Sequence, residues 1–330
     1  MTCCSLSVQR ESFESCDRLW RTVLEHRVEP TIFDFPTWQK TWWKHFGKGL
    51  ELRLVSVSSG EAASTLVAPL QLEGGTAAFL GGTDLVDYHD FISPNGAAPE
   101  AIEAVLHCLS EDGIERVVLY SVPEGSPTLG IFAQVASANG WEVESEQEDV
   151  APRLELPGSW EEYLAMLRKK DRHELRRKLR RLEAAGAVTH VELTTPNDVG
   201  AAMGDFMRLH RMSMPDKAEF MTTEREEFFR DAAGCLAAEG MTCLRFLELD
   251  GERVAASLSF ICGGVKYLYN SGYNPAHSHL AVGLLNHAYN IQRSIEQGLK
   301  VFDFMRGDES YKYHLGGQDR RLFRLTAQRG

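Results

Sequence analysis

One order of strands, turns and helix occurs twice in this chain, and that order restricts the fold more than any single residue does. In the first half, Glu51 to Val57 alternates apolar and polar residues. A turn near Ser58–Gly60 follows, then a second alternating run from Thr65 to Leu72. Gly74–Gly75 marks another hairpin turn into Ala77–Gly81. The loop LVDYHDFISP, a helix from Pro99 to Ser110 and the apolar run ERVVLYSV complete the copy. In the second half CLRFLEL, the turn Asp250–Gly251, RVAASLSFI, the turn Gly263–Gly264 and VKYLYNSGY repeat the hairpin set. The loop NPAHSHLAV, a helix running to about Gln297 with Gly298 as its cap, and the strand KVFDFM complete the second copy. Leu54 takes the place of Phe246, and Val117 that of Val301, with negligible identity between the halves. The pattern predicts an α+β protein with two tandem domains and mixed, mainly antiparallel sheets.

Between the copies, Ser159 and Glu162 form a capping-box pattern that predicts a helix start. Leu164, Leu167, Leu175, Leu179 and Leu182 keep helical spacing as far as Gly186. VTHVEL then reads as a strand, and helices are expected near 197–212 and 223–238. Domains are expected over 1–157 and 158–330, joined by a basic helix over 168–185. From Arg168 to Arg181 there are nine Lys/Arg and two acids, a net of +7 that leaves the rest of the chain at −19. Such a local excess attracts phosphates even within an acidic protein. A solvated helix pinned by its leucines has the same pattern. Arg176 and Arg177 are the candidate phosphate contacts.

A net charge of −12 disfavours a general nucleic-acid binder. No run of about 18 apolar residues is present, so no spanning helix is expected, and the first residues lack the features of a signal peptide. The seven cysteines form no CxxC pair, which argues against a metal site or a disulfide framework. A cytoplasmic location is expected.

The loop before the helix at 283–297 is the strongest candidate site. A strand before it and a parallel strand after the helix would splay apart, with the helix N-terminus between them. Free backbone N–H groups there suit a pyrophosphate or a carboxylate, and Gly283 would admit a close ligand. Leu284, Ala288, Ile291 and Ile295 supply the buried stripe. Tyr267, Tyr269, Ser271 and Tyr273 are expected on one face as a cleft wall. His277 and His279 flank the loop. In FDFMRGDESYK, the alternation puts Asp303 inside a buried strand, where it needs partners such as Arg306, Tyr311 or Lys312. A carboxylate and a tyrosine held together can serve as a base and an acid in proton transfer. Asp303, Asp308 or Glu309 could be the base and Tyr311 the acid; a structural ion-pair cluster would look the same. In the first half, Asp87, Tyr88 and Asp90 occupy the equivalent loop and could contact an acceptor, or form a solvated turn.

YLYNSGYNP, the small-residue loop before LLNHAYNIQRSIEQG, FDFMRGDESYK, the opening FDFPTWQKTWWKHF and the basic helix together resemble the GNAT acyltransferases. Within these they resemble the CelD-like family associated with cellulose biosynthesis, and the duplication is similar to the Fem-type aminoacyltransferases. The resemblance implies two GNAT-like domains and transfer of an acyl group from acetyl-coenzyme A, or a longer acyl-coenzyme A, to an amine or hydroxyl. It implies a donor loop at His279, Ala281, Val282, Gly283 and Leu284, with one glycine and no arginine where typical members have more. It also implies a site lined by Arg306, Gly307, Asp308, Tyr311 and Lys312, with His210 bordering the acceptor. The first domain would shape the acceptor cleft. A small-molecule, saccharide or peptide acceptor is expected, with no metal. Aminoacyl transfer from charged tRNA and a non-catalytic adaptor in polysaccharide assembly are the alternatives.

Overall fold

The computed structural model describes residues 6–58 and 65–329. Cys3, Cys4 and most of the turn expected near 58–60 lie outside them. The strands are β1 (Ser7–Glu11), β2 (Glu51–Ser58), β3 (Leu66–Glu73), β4 (Thr76–Phe79), β5 (Arg116–Pro123), β6 (Trp141–Val150) and β7 (Arg153–Glu155). They continue as β8 (Val188–Leu193), β9 (Thr242–Leu249), β10 (Glu252–Cys262), β11 (Val265–Tyr273), β12 (Val301–Asp303) and β13 (Arg321–Arg329). The chain divides into two compact units, one formed by 1–150 with 320–330, the other by 151–319.

Unit 1 holds a sheet of order β1-β2-β3-β4-β5-β13-β6. Only β4 and β5 are parallel. β3 and β4 form a hairpin across Gly74–Gly75, while β1–β2, β5–β13 and β6–β13 pair antiparallel from distant segments, and the helix Pro99–Glu111 makes the crossover between β4 and β5. Val55, Leu70, Phe79, Ile102, Val105 and Leu119 build its core.

Unit 2 repeats the plan with a sheet of order β7-β12-β11-β10-β9-β8, in which only β11 and β12 are parallel. Asp250–Gly251 and Gly263–Gly264 all have positive φ, as two-residue hairpin turns between twisted strands require. The expected equivalence holds in the pairing: Val117 lies beside Ala77 and Val301 beside Val265, each across a parallel pair. The buried stripe of the helix Val282–Glu296 is Leu285, Ala288, Ile291 and Ile295, while Leu284 faces sideways.

Two strands sit elsewhere than a 157/158 division would put them. The last strand, β13, pairs with β5 and β6 of unit 1. β7 holds the matching place in unit 2, antiparallel to β12. The helix expected after Ser159 is two helices, Trp160–Met166 and Lys169–Glu183, because Leu167 and Arg168 are extended. Ser159 caps the first by accepting from Glu162 N, but Glu162 accepts from Gly158 N and not from Ser159, so the box is one-sided. Leu175 and Leu182 anchor one edge of the basic helix in the core of unit 2. Helices Pro196–Ser213 and Thr223–Ala238 form where expected, with a short extra helix Pro215–Phe220 between them. KVFDFM is shorter than expected: β12 stops at Asp303, and Met305 turns into left-handed backbone at φ 64°.

Candidate active site

β11 and β12 pair for three residues, Val265–Tyr267 against Val301–Asp303, and then separate. A cavity of about 410 Å³ lies in unit 2 beyond the separation. It is walled by Ser271, Gly272 and Tyr273 of β11, by Ala281 to Leu284, Asn286 and His287 of the loop and helix, and by Glu309 and Tyr311. Ser213, Met214 and Lys217 close the remaining side.

The helix Val282–Glu296 starts at this cavity from Ala281, which is left-handed at φ 58°, and no side chain caps it. Its first N–H groups therefore form a positive end at the cavity wall. Gly283 serves a purpose other than the one expected. A Cβ there would meet Cδ1 of Tyr273 at 3.0 Å, so the space is filled by the Tyr273 ring. Gly272 is tighter still: a Cβ would come within 2.3 Å of His210 N and 2.4 Å of His210 Cα. β11 thus lies directly on the backbone of the helix Pro196–Ser213.

The expected row of aromatics on one face of β11 is broken. The β10–β11 register shifts between Leu258 and Phe260, and a bulge re-aims the side chains that follow it. Tyr269 packs on Phe229 and Phe260, whereas Tyr273 joins the core beneath the helix Val282–Glu296.

Of the proposed proton carriers, Glu309 and Tyr311 reach the cavity. Tyr311 stacks on His287 with centroids 4.9 Å apart, and burial raises its phenol above the ordinary range. Asp303 lies outside the lining. It is buried and accepts from Met305 N at 2.8 Å, which holds the turn that ends β12. Asp308 is exposed and Arg306 half-buried, and neither lines the cavity. Lys312, expected at the donor, is buried and committed elsewhere. Its Nζ donates to the carbonyls of Met305 (2.9 Å), Arg306 (2.7 Å) and Gly307 (2.9 Å) and pairs with Glu309 at 2.8 Å. An ammonium has three protons, so none is left for a phosphate.

His279 is exposed; Ser278 lines the cavity in its place. His210 is fully buried rather than on a helix surface, and its Nε2 lies 2.8 Å from Asn270 Oδ1. Burial, with Lys217 and Arg211 nearby, pushes its pKa down to about 4. Arg176 pairs with Glu161 and Arg177 with Glu174, so both are partly neutralised on the exposed basic helix. In unit 1, Tyr88 and Asp90 line a separate cavity of about 250 Å³, and Asp87 does not. Asp90 there pairs with Arg27 at 3.3 Å and accepts from Ser126 and Thr128.

Lys217 and His287 went unnoticed in the sequence. Lys217 Nζ donates to Ser271 O at 2.5 Å, and burial lowers its pKa to about 8. His287 Nδ1 has no hydrogen-bond partner. Burial and the Lys217 and Lys312 cations push His287 down to about 3, so it is neutral. A lysine in PDKAEF and a histidine within a helix give no local signal; only the fold brings them together.

The comparisons bear on this geometry. Residues 169–313 match the family model of the acetyltransferase (GNAT) domain. FemX, at 12% identity over 97% of this chain and 96% of its own, superposes with a TM-score of 0.68. A tandem GNAT protein from the clavulanic acid biosynthesis pathway, at 14% identity over 99% of both chains, gives 0.55. The fold is tandem and GNAT-like. The C-terminal domain of a putative lysylphosphatidylglycerol synthetase from Agrobacterium fabrum, at 10% identity over 97% of this chain and 93% of its own, gives 0.61. No curated protein matches in sequence. Among the described residues no helix is long and apolar enough to cross a membrane, and no side-chain cluster could hold a metal ion.

Proposed function

We propose that unit 2 is an acyltransferase that takes its acyl group from acyl-coenzyme A and passes it to an amine or hydroxyl. The observation that carries this reading is the uncapped helix N-terminus at the wall of a cavity where two parallel strands part. Backbone N–H groups there suit the donor's pyrophosphate. The cavity fits the acyl end: Val282 and Ala256 offer apolar surface. When bound, the donor supplies an activated thioester carbonyl.

The residues of the chain supply position and proton handling. Glu309 faces the cavity and is placed to take the proton of an attacking amine or hydroxyl. Tyr311, kept protonated by burial, is placed to donate to a departing thiolate. Asp303 and Lys312 hold the loop that carries Glu309 and Tyr311. The finer likeness to CelD-like enzymes belongs with this reading.

The test is release of free thiol from acetyl-, butyryl- and hexanoyl-coenzyme A in the presence of an amine panel, beside transfer from aminoacyl-tRNA. Thiol release that depends on the amine is expected. Transfer from charged tRNA with no thiol release from any thioester would replace the donor.

A further inference from the structure

Lys217 is a half-buried cation at the cavity wall that no carboxylate touches. Among the described residues no carboxylate lies within ion-pair distance of it, and its one hydrogen bond, to Ser271 O, uses one of three protons. An ammonium drawn partly out of water is stabilised when an anion pairs with it. Its position at the cavity wall makes that partner a ligand. Across the same cavity stands a carboxylate, Glu309, one oxygen of which is tied to Lys312. The two opposite charges share one cavity without touching each other, and Met214, Tyr273 and Leu284 give its lining an apolar part.

We propose that the acceptor is an α-amino acid with an apolar side chain, its carboxylate on Lys217 and its amino group toward Glu309. This rests on the acyl-transfer reading and names its acceptor class. The amino group is the nucleophile: its nitrogen bonds to the acyl carbon, the thioester C–S bond breaks, one N–H proton is lost toward Glu309, and the thiolate leaves and is protonated. The products are an N-acyl amino acid and the free thiol. Met214, Tyr273 and Leu284 favour an apolar side chain, which gains by leaving water against them.

The lowered pKa of Lys217 agrees with this arrangement: desolvation lowers it and the Glu309 carboxylate only partly offsets that. The charged and titratable groups around it are Glu309, just before the short helix Ser310–His314, Lys312 within that helix, His287 from the helix Val282–Glu296, and His210 and Arg211 from the helix Pro196–Ser213. The two histidines stay neutral near pH 7.

The test is calorimetric titration of the full chain, without any acyl donor, with leucine, methionine, phenylalanine and valine. Each is compared with its methyl ester and its decarboxylated amine. At least one amino acid should bind, and loss of its carboxylate should weaken binding by about tenfold or more, as for a charge-assisted hydrogen bond. Lys217→Gln should erase that difference, and Lys217→Arg should restore much of it. A melting curve for each variant separates loss of binding from loss of fold. Glu309→Gln should in turn erase the preference for the amino acid over its desamino carboxylic acid. Binding of the parent amino acid should weaken as pH rises through Lys217's titration. Equal binding of acid, ester and amine would overturn the proposal, as would a preference that survives in Lys217→Gln, or no binding by any of the four. A carboxylate on the donor is the other source: if Lys217→Gln weakened succinyl-coenzyme A and spared every amino acid, the acceptor assignment would fall. Amino acid binding without thiol release would leave this subsite standing and sink the acyl-transfer reading, so the two failures are distinguishable.

Discussion

Replacing Gly272 with alanine should be among the most damaging single-methyl changes in unit 2. The added Cβ would lie 2.3 Å from His210 N, 2.4 Å from His210 Cα and 2.5 Å from Leu209 C. Those are backbone atoms of the helix Pro196–Ser213, so no side chain can rotate away. The strand and the helix must move apart by about 1 Å to reach ordinary contact, and overpacking of this kind costs roughly 1–3 kcal/mol. A rigid neighbour puts Gly272→Ala at the upper end. At about 2–4 °C per kcal/mol for a unit of this size, its melting transition should fall by roughly 6–12 °C. Donor affinity should fall as well, because Ser271 to Tyr273 form one cavity wall. Gly204→Ala on the same helix is the control. That glycine is exposed with nothing within 4 Å of a new Cβ, so alanine should stabilise by about 0.5–1 kcal/mol. Scanning calorimetry of both variants decides the matter. A Gly272→Ala protein that melts with the parent would refute the close strand–helix contact and the cavity geometry built on it.

Other substitutions test neighbouring parts of the account. Gly283→Val should displace the Tyr273 ring, leave the melting temperature within a few degrees, and cut acyl-coenzyme A affinity about tenfold in a calorimetric titration; unchanged affinity would move the donor elsewhere. Lys312→Met should strand three carbonyls and cost about 3 kcal/mol or more by urea denaturation, and a neutral result would contradict the clamp seen around Nζ. His287 has a folded pKa lowered to about 3 from 6.5, so the unfolded chain takes up a proton that the folded one refuses. Stability present above pH 6.5 should drain as pH falls toward 3; His287→Phe should flatten part of that slope, and identical slopes would deny the buried neutral ring. Changing Arg176, Arg177, Arg180 and Arg181 together to glutamine should lower acyl-coenzyme A turnover. The parent should bind no tRNA with a steep salt dependence; a log–log slope of several units, lost in the quadruple variant, would favour the aminoacyl donor.

The hairpin set of unit 2 was legible because its strands alternate cleanly and its turns carry Asp-Gly and Gly-Gly. The helix after Ala281 was legible from its stripe, apart from the sideways Leu284. The place of β13 was not, since pairing with β5 across some two hundred residues leaves no local trace. The break at Leu167–Arg168 was hidden because leucines continue at helical spacing on both sides of it. Within the site, Glu309, Tyr311 and the 281–284 loop could be picked out from strand-end and helix-start patterns. Lys312 and Asp303 are chemically suited to catalysis, and only their hydrogen bonds to the 305–307 loop reveal their actual work. Lys217 became visible through a short helix that no periodicity announces.

The central claim is that the donor sits at the start of the helix Val282–Glu296, and amide hydrogen exchange with saturating acetyl-coenzyme A tests it most directly. Protection is expected at 271–273 and 282–285, with none in the 88–96 loop of unit 1. Protection confined to unit 1, or none anywhere at saturation, would contradict the assignment of unit 2 as the donor-binding half.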